Sequence, residues 1–376
     1  MTGPRLRVLF AFSYSTHYRL GVLRALLADP DTDVDVAAGV TVLAHAPQKV
    51  HPLDPADLPP LRLHRTYAVR SLRWQPGLLR QSLRRDYDVV VWDPSMHCLT
   101  MWASSLALRA RRRTTLVYWG LGWTARHGAA KEWVKVRAFR LAHGFLTYGA
   151  RSAELGAAAG YPADRLHVVG NSTIDTRQAA EVATALPPLE PLTLGISLRL
   201  TRRKRIDLLL RAASALQQTG TPVRVHVVGD GEERAALEAL AGALGVDAHF
   251  HGALYDPGDI AEVYRQVHLT VIPGHAGLTV VQSLMHGRPV VTHDNTGRHA
   301  AEWEALRDGV TGSFYREGDL DDLVTHIRQV AGWIAERGPR VARDCREDYL
   351  AHGDPAQHAQ RILTAVREVH EWLRVE

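Results

Sequence analysis

The sequence predicts an α/β protein built from two doubly wound, Rossmann-like domains facing each other across a cleft. Three observations carry that expectation: short unbroken apolar runs separated by helix-periodic segments, a proline break followed by a second series of the same kind, and a length that suits two cores. Strands covered on both faces read as continuous apolar runs, whereas half-exposed strands alternate. At 376 residues the chain is about two domains long, taking roughly 150 residues for each.

In chain order, residues 7–12 form an apolar run, and residues 18–28 carry leucines at 20, 23, 26 and 27 with helical spacing. Residues 33–38 read as a second strand; Asp33 and Asp35 have the look of a metal-binding Asp-x-Asp, but a solvated strand entry is the favoured reading. Strands follow at 88–92 and 115–118, helical segments at 99–112 and 130–142, and a strand at 166–169. Pro187, Pro188 and Pro191 mark a linker. The second series begins at 192–196 and continues through helix 206–218, strand 223–228, helix 232–244 and strand 248–250. It goes on with helix 259–266, strand 269–272, helix 278–286 and strand 289–292. Residues 355–375 have helical periodicity and a charged face. The expected division is 1–187, 188–352, and a terminal segment 353–376 that packs back toward the N-terminal domain.

Composition narrows the function classes. Cys98 and Cys345 are too few for a disulfide framework and lack metal-ligand spacing, which points to a reducing cytoplasm. No run approaches 18 apolar residues, and the N-terminus lacks a signal-peptide pattern. The net charge of +5 hides an asymmetry: residues 1–187 carry 24 Lys+Arg against 14 Asp+Glu, and the remainder 21 against 26. A basic half joined to an acidic half suggests that one half meets an anionic partner. No nucleic-acid motif accompanies the charge, so nucleic acid is not an expected partner.

Ligands of open parallel sheets bind beyond the carboxyl ends of the strands. No loop there carries Gly-x-Gly-x-x-Gly or a phosphate-cradling P-loop, which disfavours a dinucleotide oxidoreductase. Gly229-Asp230-Gly231 follows a strand and suits either a tight turn or a ligand. The stretch Pro273-Gly-His-Ala-Gly-Leu-Thr279 leaves a strand and enters a helix. Its glycines let a charged group approach the backbone, where the N–H groups of Leu278 and Thr279 can meet a diphosphate. The basic loop 197–207 follows the first strand of the second series, so Arg199 and Lys204 can face the same ligand.

With these motifs in this order, residues 160–330 resemble the family 4 retaining glycosyltransferases of the GT-B fold. The matches are the turn at 171–175, the pattern at 197–209, the glycines at 229–231, Phe250-His251-Gly252, residues 287–291 and residues 302–312. The resemblance implies a nucleoside-diphosphate sugar as co-substrate, with no other cofactor and no metal. It gives Arg199 and Lys204 the role of gripping the donor diphosphate, with Gly229, Asp230, His275, Gly277, Leu278, Thr279 and Gln282 around the donor. It also implies front-face displacement, in which the leaving diphosphate helps deprotonate the acceptor. The family's paired glutamates fall at Gly274 and Gln282; Gln282 can still bond ribose hydroxyls, and His275 can stand in at the sugar. The sequence resembles a surface-polysaccharide variant of the family that lacks this pair.

The first half is expected to bind a carbohydrate or lipid-linked acceptor. Candidates are His17, Tyr18 and Arg19 after the first strand, and Trp119 and Trp123 around Gly120 and Gly122, where core packing competes with a sugar platform. His97 is a substitute for a catalytic histidine that relatives carry elsewhere. Arg109 and Arg111 to Arg113 form the densest basic cluster, suited to an anionic membrane surface, so peripheral attachment at the inner membrane face is an added expectation. Two other readings remain at this stage: a sugar-nucleotide 2-epimerase of the same fold, and a non-catalytic sugar-nucleotide or membrane-binding module.

Overall fold

The computed structural model describes residues 5–40, 52–124, 128–172 and 185–375. The chain divides into two compact units, residues 1–175 with 355–376, and residues 176–354.

The first unit is built on seven parallel strands: β1 (Leu6–Phe12), β2 (Thr32–Gly39), β3 (Leu61–His64), β6 (Val89–Trp92), β7 (Thr115–Gly120), β8 (Gly144–Thr147) and β9 (Leu166–Val168). Between β3 and β6, β4 (Tyr67–Val69) and β5 (Leu72–Trp74) form a separate antiparallel hairpin. The sheet order is β3-β2-β1-β6-β7-β8-β9, so the direction of winding reverses between β1 and β6. Val8 to Phe12 and Val89 to Trp92 are at most 1% exposed, which is why they read as unbroken apolar runs. Helix Leu20–Leu27 buries Leu23 and Leu26 completely.

The second unit repeats the plan with β10 (Leu192–Ser197), β11 (Val223–Val228), β12 (Asp247–Gly252), β13 (Leu269–Ile272), β14 (Val290–His293) and β15 (Gly312–Tyr315). Its order, β12-β11-β10-β13-β14-β15, reverses between β10 and β13. Helix Ile206–Gln218 buries Leu209, Leu210, Ala212, Ala213 and Leu216 completely.

The long terminal helix Pro355–Val375 packs on helix Leu20–Leu27 and on β7 and β8 of the first unit. Ile362, Leu363, Val366 and Val369 are buried there, and a side chain at Gly144 would meet Val369 at 2.5 Å. Arg367 donates to Asp29 and to the Thr32 hydroxyl, both at 2.8 Å. The change of unit near residue 175 precedes the prolines. His268 Nε2 bonds the carbonyl oxygens of Pro187 and Pro188 at 3.1 and 3.0 Å, and Arg288 Nη2 donates to that of Ala185. These bonds attach the proline segment to the second unit. Most of the expected turn at 171–175 lies outside the described residues.

Candidate active site

Each winding reversal opens a crevice at the carboxyl ends of its central strands. In the second unit the loops that meet there follow β10 and β13. Gly274 lies so close to the other loop that an added Cβ would stand 2.3 Å from the Arg203 carbonyl oxygen and 2.8 Å from the Lys204 Cα. His275 N also donates to that Arg203 oxygen at 3.3 Å. The contact is backbone to backbone, so no side chain fits at 274, and the glutamate that the resemblance would put there is sterically excluded. Lys204 then turns its amine onto the same strand exit, donating to the His275 carbonyl oxygen at 2.6 Å and to His275 Nδ1 at 3.2 Å.

Electrostatics follow from this packing. Burial, reinforced by Arg203 and opposed by Glu302, lowers the Lys204 ammonium to about 8. Burial and the neighbouring Lys204 bring His275 down to about 4, so its Nδ1 is free to accept. His299 accepts from the Ala276 N–H through Nδ1 at 3.0 Å and donates from Nε2 to the His293 carbonyl at 2.8 Å, which defines a neutral ring. Burial likewise holds it near 4.

The remaining donor-side candidates divide by what their surroundings demand. Thr279 donates its hydroxyl to the Ser197 carbonyl at 2.6 Å, tying the short helix Thr279–Met285 to β10; Leu278 caps that helix and Gln282 is half-buried on it. At Gly277 the nearest atoms to an added Cβ, from Ala300 and His275, are 3.9 Å away, so a methyl group there would make ordinary contact without a clash. Arg199 is half-buried, and its Nε has no protein partner among the described residues. Gly229 and Gly231 have a different reason to be glycine. A Cβ would stand 1.8 Å from the Leu198 carbonyl oxygen in the first and 2.2 Å from that of Leu200 in the second, which accounts for both without a donor. Asp230 is exposed and accepts from the Gly231 N–H at 2.7 Å.

In the first unit, the reversal between β1 and β6 places Ser13 beside Asp93. Asp93 accepts from the Ser13 N–H at 2.6 Å and from its hydroxyl at 3.0 Å. Burial raises the Asp93 carboxyl to about 6, against the pull of Arg19, the Ser13 bonds and Arg73. The Arg19 guanidinium lies 4.6 Å from the Phe12 ring centroid and 5.2 Å from that of Trp119, and donates to the Tyr148 hydroxyl at 3.1 Å. Arg73 lies over Tyr14 at 5.4 Å and donates to the Ser95 hydroxyl at 2.9 Å. Arg19 Nη1, Arg73 Nε and the hydroxyls of Ser15 and Thr16 are buried with no protein partner among the described residues. A carboxyl near neutrality among unsatisfied donors suits a polyhydroxyl ligand.

The acceptor-side expectations need correction at two residues. Trp119 and Trp123 are 1% exposed. Trp119 is a strand residue packed on Phe10 and Phe12, and Trp123 lies among Phe139, Phe145 and Tyr161 at 5.3 to 5.5 Å, so they are core rather than a sugar platform. Arg19 joins the cluster around Asp93, while His17 is exposed and Tyr18 half-buried against it. His97 is exposed, and its carbonyl accepts from the Arg73 N–H at 2.9 Å. Sequence reasoning missed Ser13, Arg73, Asp93 and Tyr148 as a group. The available signal was topological, since Ser13 and Asp93 each follow a strand that flanks the winding reversal.

Residues 180–331 match the family described as glycosyl transferases group 1. A curated relative, alpha-D-kanosaminyltransferase of Streptomyces kanamyceticus, is 25% identical over 212 residues, which is 52% of this chain and 54% of that protein. The chain thus spans about half the length of that relative. Among solved structures, the apo form of the lipopolysaccharide outer core galactosyltransferase WaaB is similar with a TM-score of 0.70 at 14% identity, over 96% of this chain and 99% of that one. Anabaena Alr3699/HepE in complex with UDP is similar with a TM-score of 0.69 at 17% identity, over 96% and 100%. The chain therefore has the GT-B fold, and residues 180–331 within its second unit are similar to glycosyl transferases group 1.

Proposed function

We propose that this protein transfers a sugar, with retention, from a nucleoside-diphosphate donor to a carbohydrate or lipid-linked acceptor. The observation that carries the reading is Lys204, held at the winding reversal of the second unit by His275, inside the segment that matches the group 1 family. UDP bound to HepE supports a nucleotide donor.

In this reading Lys204 and Arg199 hold the diphosphate, and Gly277, which carries no side chain, lets it approach the backbone. Two protein cations stabilise the negative charge that develops on the departing phosphate. The acceptor oxygen forms its bond to the anomeric carbon as the bond from that carbon to the phosphate oxygen breaks. The acceptor proton passes to the departing phosphate oxygen, so the same face of the sugar is attacked and left. Asp93 accepts a hydrogen bond from an acceptor hydroxyl and orients it, with Arg19 and Arg73 close by. The donor pocket differs from the family pattern because the Arg203–Lys204 backbone fills the place of the first glutamate.

The test is turnover of a panel of nucleotide sugars by the purified protein. Slow donor hydrolysis without acceptor is expected, and Lys204→Ala should reduce it by about 100-fold or more. Turnover of Lys204→Ala close to wild type overturns the diphosphate grip. Release of an epimerised free sugar, or binding with no turnover of any donor, overturns the transferase reading.

A further inference from the structure

The β4–β5 hairpin has two unlike faces. Its register sets Tyr67 opposite Trp74, Ala68 opposite Arg73 and Val69 opposite Leu72. Directly opposed residues share a face and neighbours alternate, so Tyr67, Val69, Leu72 and Trp74 form one face, and Ala68 and Arg73 the other. All four apolar residues are exposed: Tyr67 48%, Val69 74%, Leu72 43% and Trp74 37%. The Arg73 N–H bonds the His97 carbonyl, which sets the exposed Met96 and Leu99 next to β5. A two-stranded hairpin gains little by itself in water, so one that turns four large apolar side chains outward calls for an apolar partner.

Charge identifies the partner. Residues 58–85 contain seven arginines and no acidic residue. Arg65 lies 5.1 Å from the Tyr67 ring centroid, and Arg70 stands in the hairpin turn with φ at +53°. A second copy of the chain is a poor partner, because a symmetric pair would set these arginines against their own counterparts. No helix among the described residues is long and apolar enough to cross a membrane.

We propose that the Tyr67–Trp74 hairpin docks the first unit on a lipid surface bearing anionic headgroups. Its aromatic and aliphatic face enters the interface, and the flanking arginines pair with lipid phosphates. The opposite face carries Arg73, which belongs to the Asp93 cluster through Tyr14 and Ser95. Docking therefore brings that cluster to headgroup level. This last link rests on the transferase reading, whereas the docking does not.

The experiment is flotation with vesicles of phosphatidylcholine alone or mixed equally with phosphatidylglycerol, alongside donor hydrolysis and size-exclusion chromatography. Wild type should float with the anionic vesicles only. Val69→Ser/Leu72→Ser should lose flotation by about tenfold or more while keeping donor hydrolysis, which also certifies its fold. Arg65→Gln/Arg70→Gln, which leaves the four apolar residues in place, should weaken flotation with the anionic vesicles as well. Wild type that stays with the soluble fraction, or a serine variant that floats like wild type, overturns the proposal. So does a serine variant whose only change is a smaller oligomer, because the covering surface is then a second copy. Hydrolysis without flotation removes the docking alone, and flotation without hydrolysis removes the transferase reading alone.

Discussion

The Lys204 amine donates to the His275 carbonyl at 2.6 Å and carries a pKa of about 8. An arriving diphosphate favours the charged amine and raises that value, so binding takes up a proton above about pH 8 and almost none below it. Affinity for UDP should therefore be flat from about pH 7 to 7.5, where its terminal phosphate is already ionised, and fall as pH rises further, with proton uptake visible by calorimetry in two buffers of unlike ionisation heat. Lys204→Arg, which stays charged, should remove the fall; a wild-type affinity that is flat to about pH 9.5 counts against Lys204 as the diphosphate ligand. Stability runs in the opposite sense. Because the folded value lies below the ordinary 10.5, the unfolded chain holds more protons between about 8 and 10.5, and folding gains as pH rises through that window. Lys204 was legible in the sequence because it stands in a basic loop after a strand. Asp93 was not, because a lone aspartate after a strand looks like any other and its partner Ser13 lies 80 residues away.

At the scale of the element, glycines with the same appearance in sequence have opposite tasks. Gly231 presses on the Leu200 carbonyl, a backbone atom that cannot swing aside, whereas the Cβ position at Gly277 meets nothing closer than 3.9 Å. Gly231→Ala should cost about 1–3 kcal/mol in denaturant unfolding. Gly277→Ala should leave the unfolding midpoint near wild type and weaken UDP binding; the reverse pattern would exchange the two assignments. The strands were readable where both faces are buried, as in β1, β10 and β13. They were missed where the run is brief or mixed, as in β8, β15 and the hairpin, whose outward apolar face follows no core-forming pattern. The tryptophans misled for the reverse reason. A glycine-flanked Trp119 suggests an open platform, but strand geometry sends it between Phe10 and Phe12.

For the whole molecule, each unit has its own winding reversal, and the sequence predicted that repetition from its two strand-helix series. The proline cluster was a misleading boundary, since its carbonyls are held by His268 of the second unit. The terminal helix gives the first unit a part that the rest of that unit cannot replace. Removing residues 355–376 would uncover the groove at Gly144 and the faces that meet Ile362, Leu363, Val366 and Val369. Hydrogen exchange on the truncated chain should show β7 and β8 losing protection while β10 and β13 keep theirs; equal loss in both sheets would mean that the units do not fold separately. The same feature sets the order of events at the ribosome. Residues 1–175 of the first unit are translated before the second, yet every residue of the second is made before the helix that completes the first. The nascent β7–β8 face must therefore wait uncovered through the synthesis of an entire intervening domain.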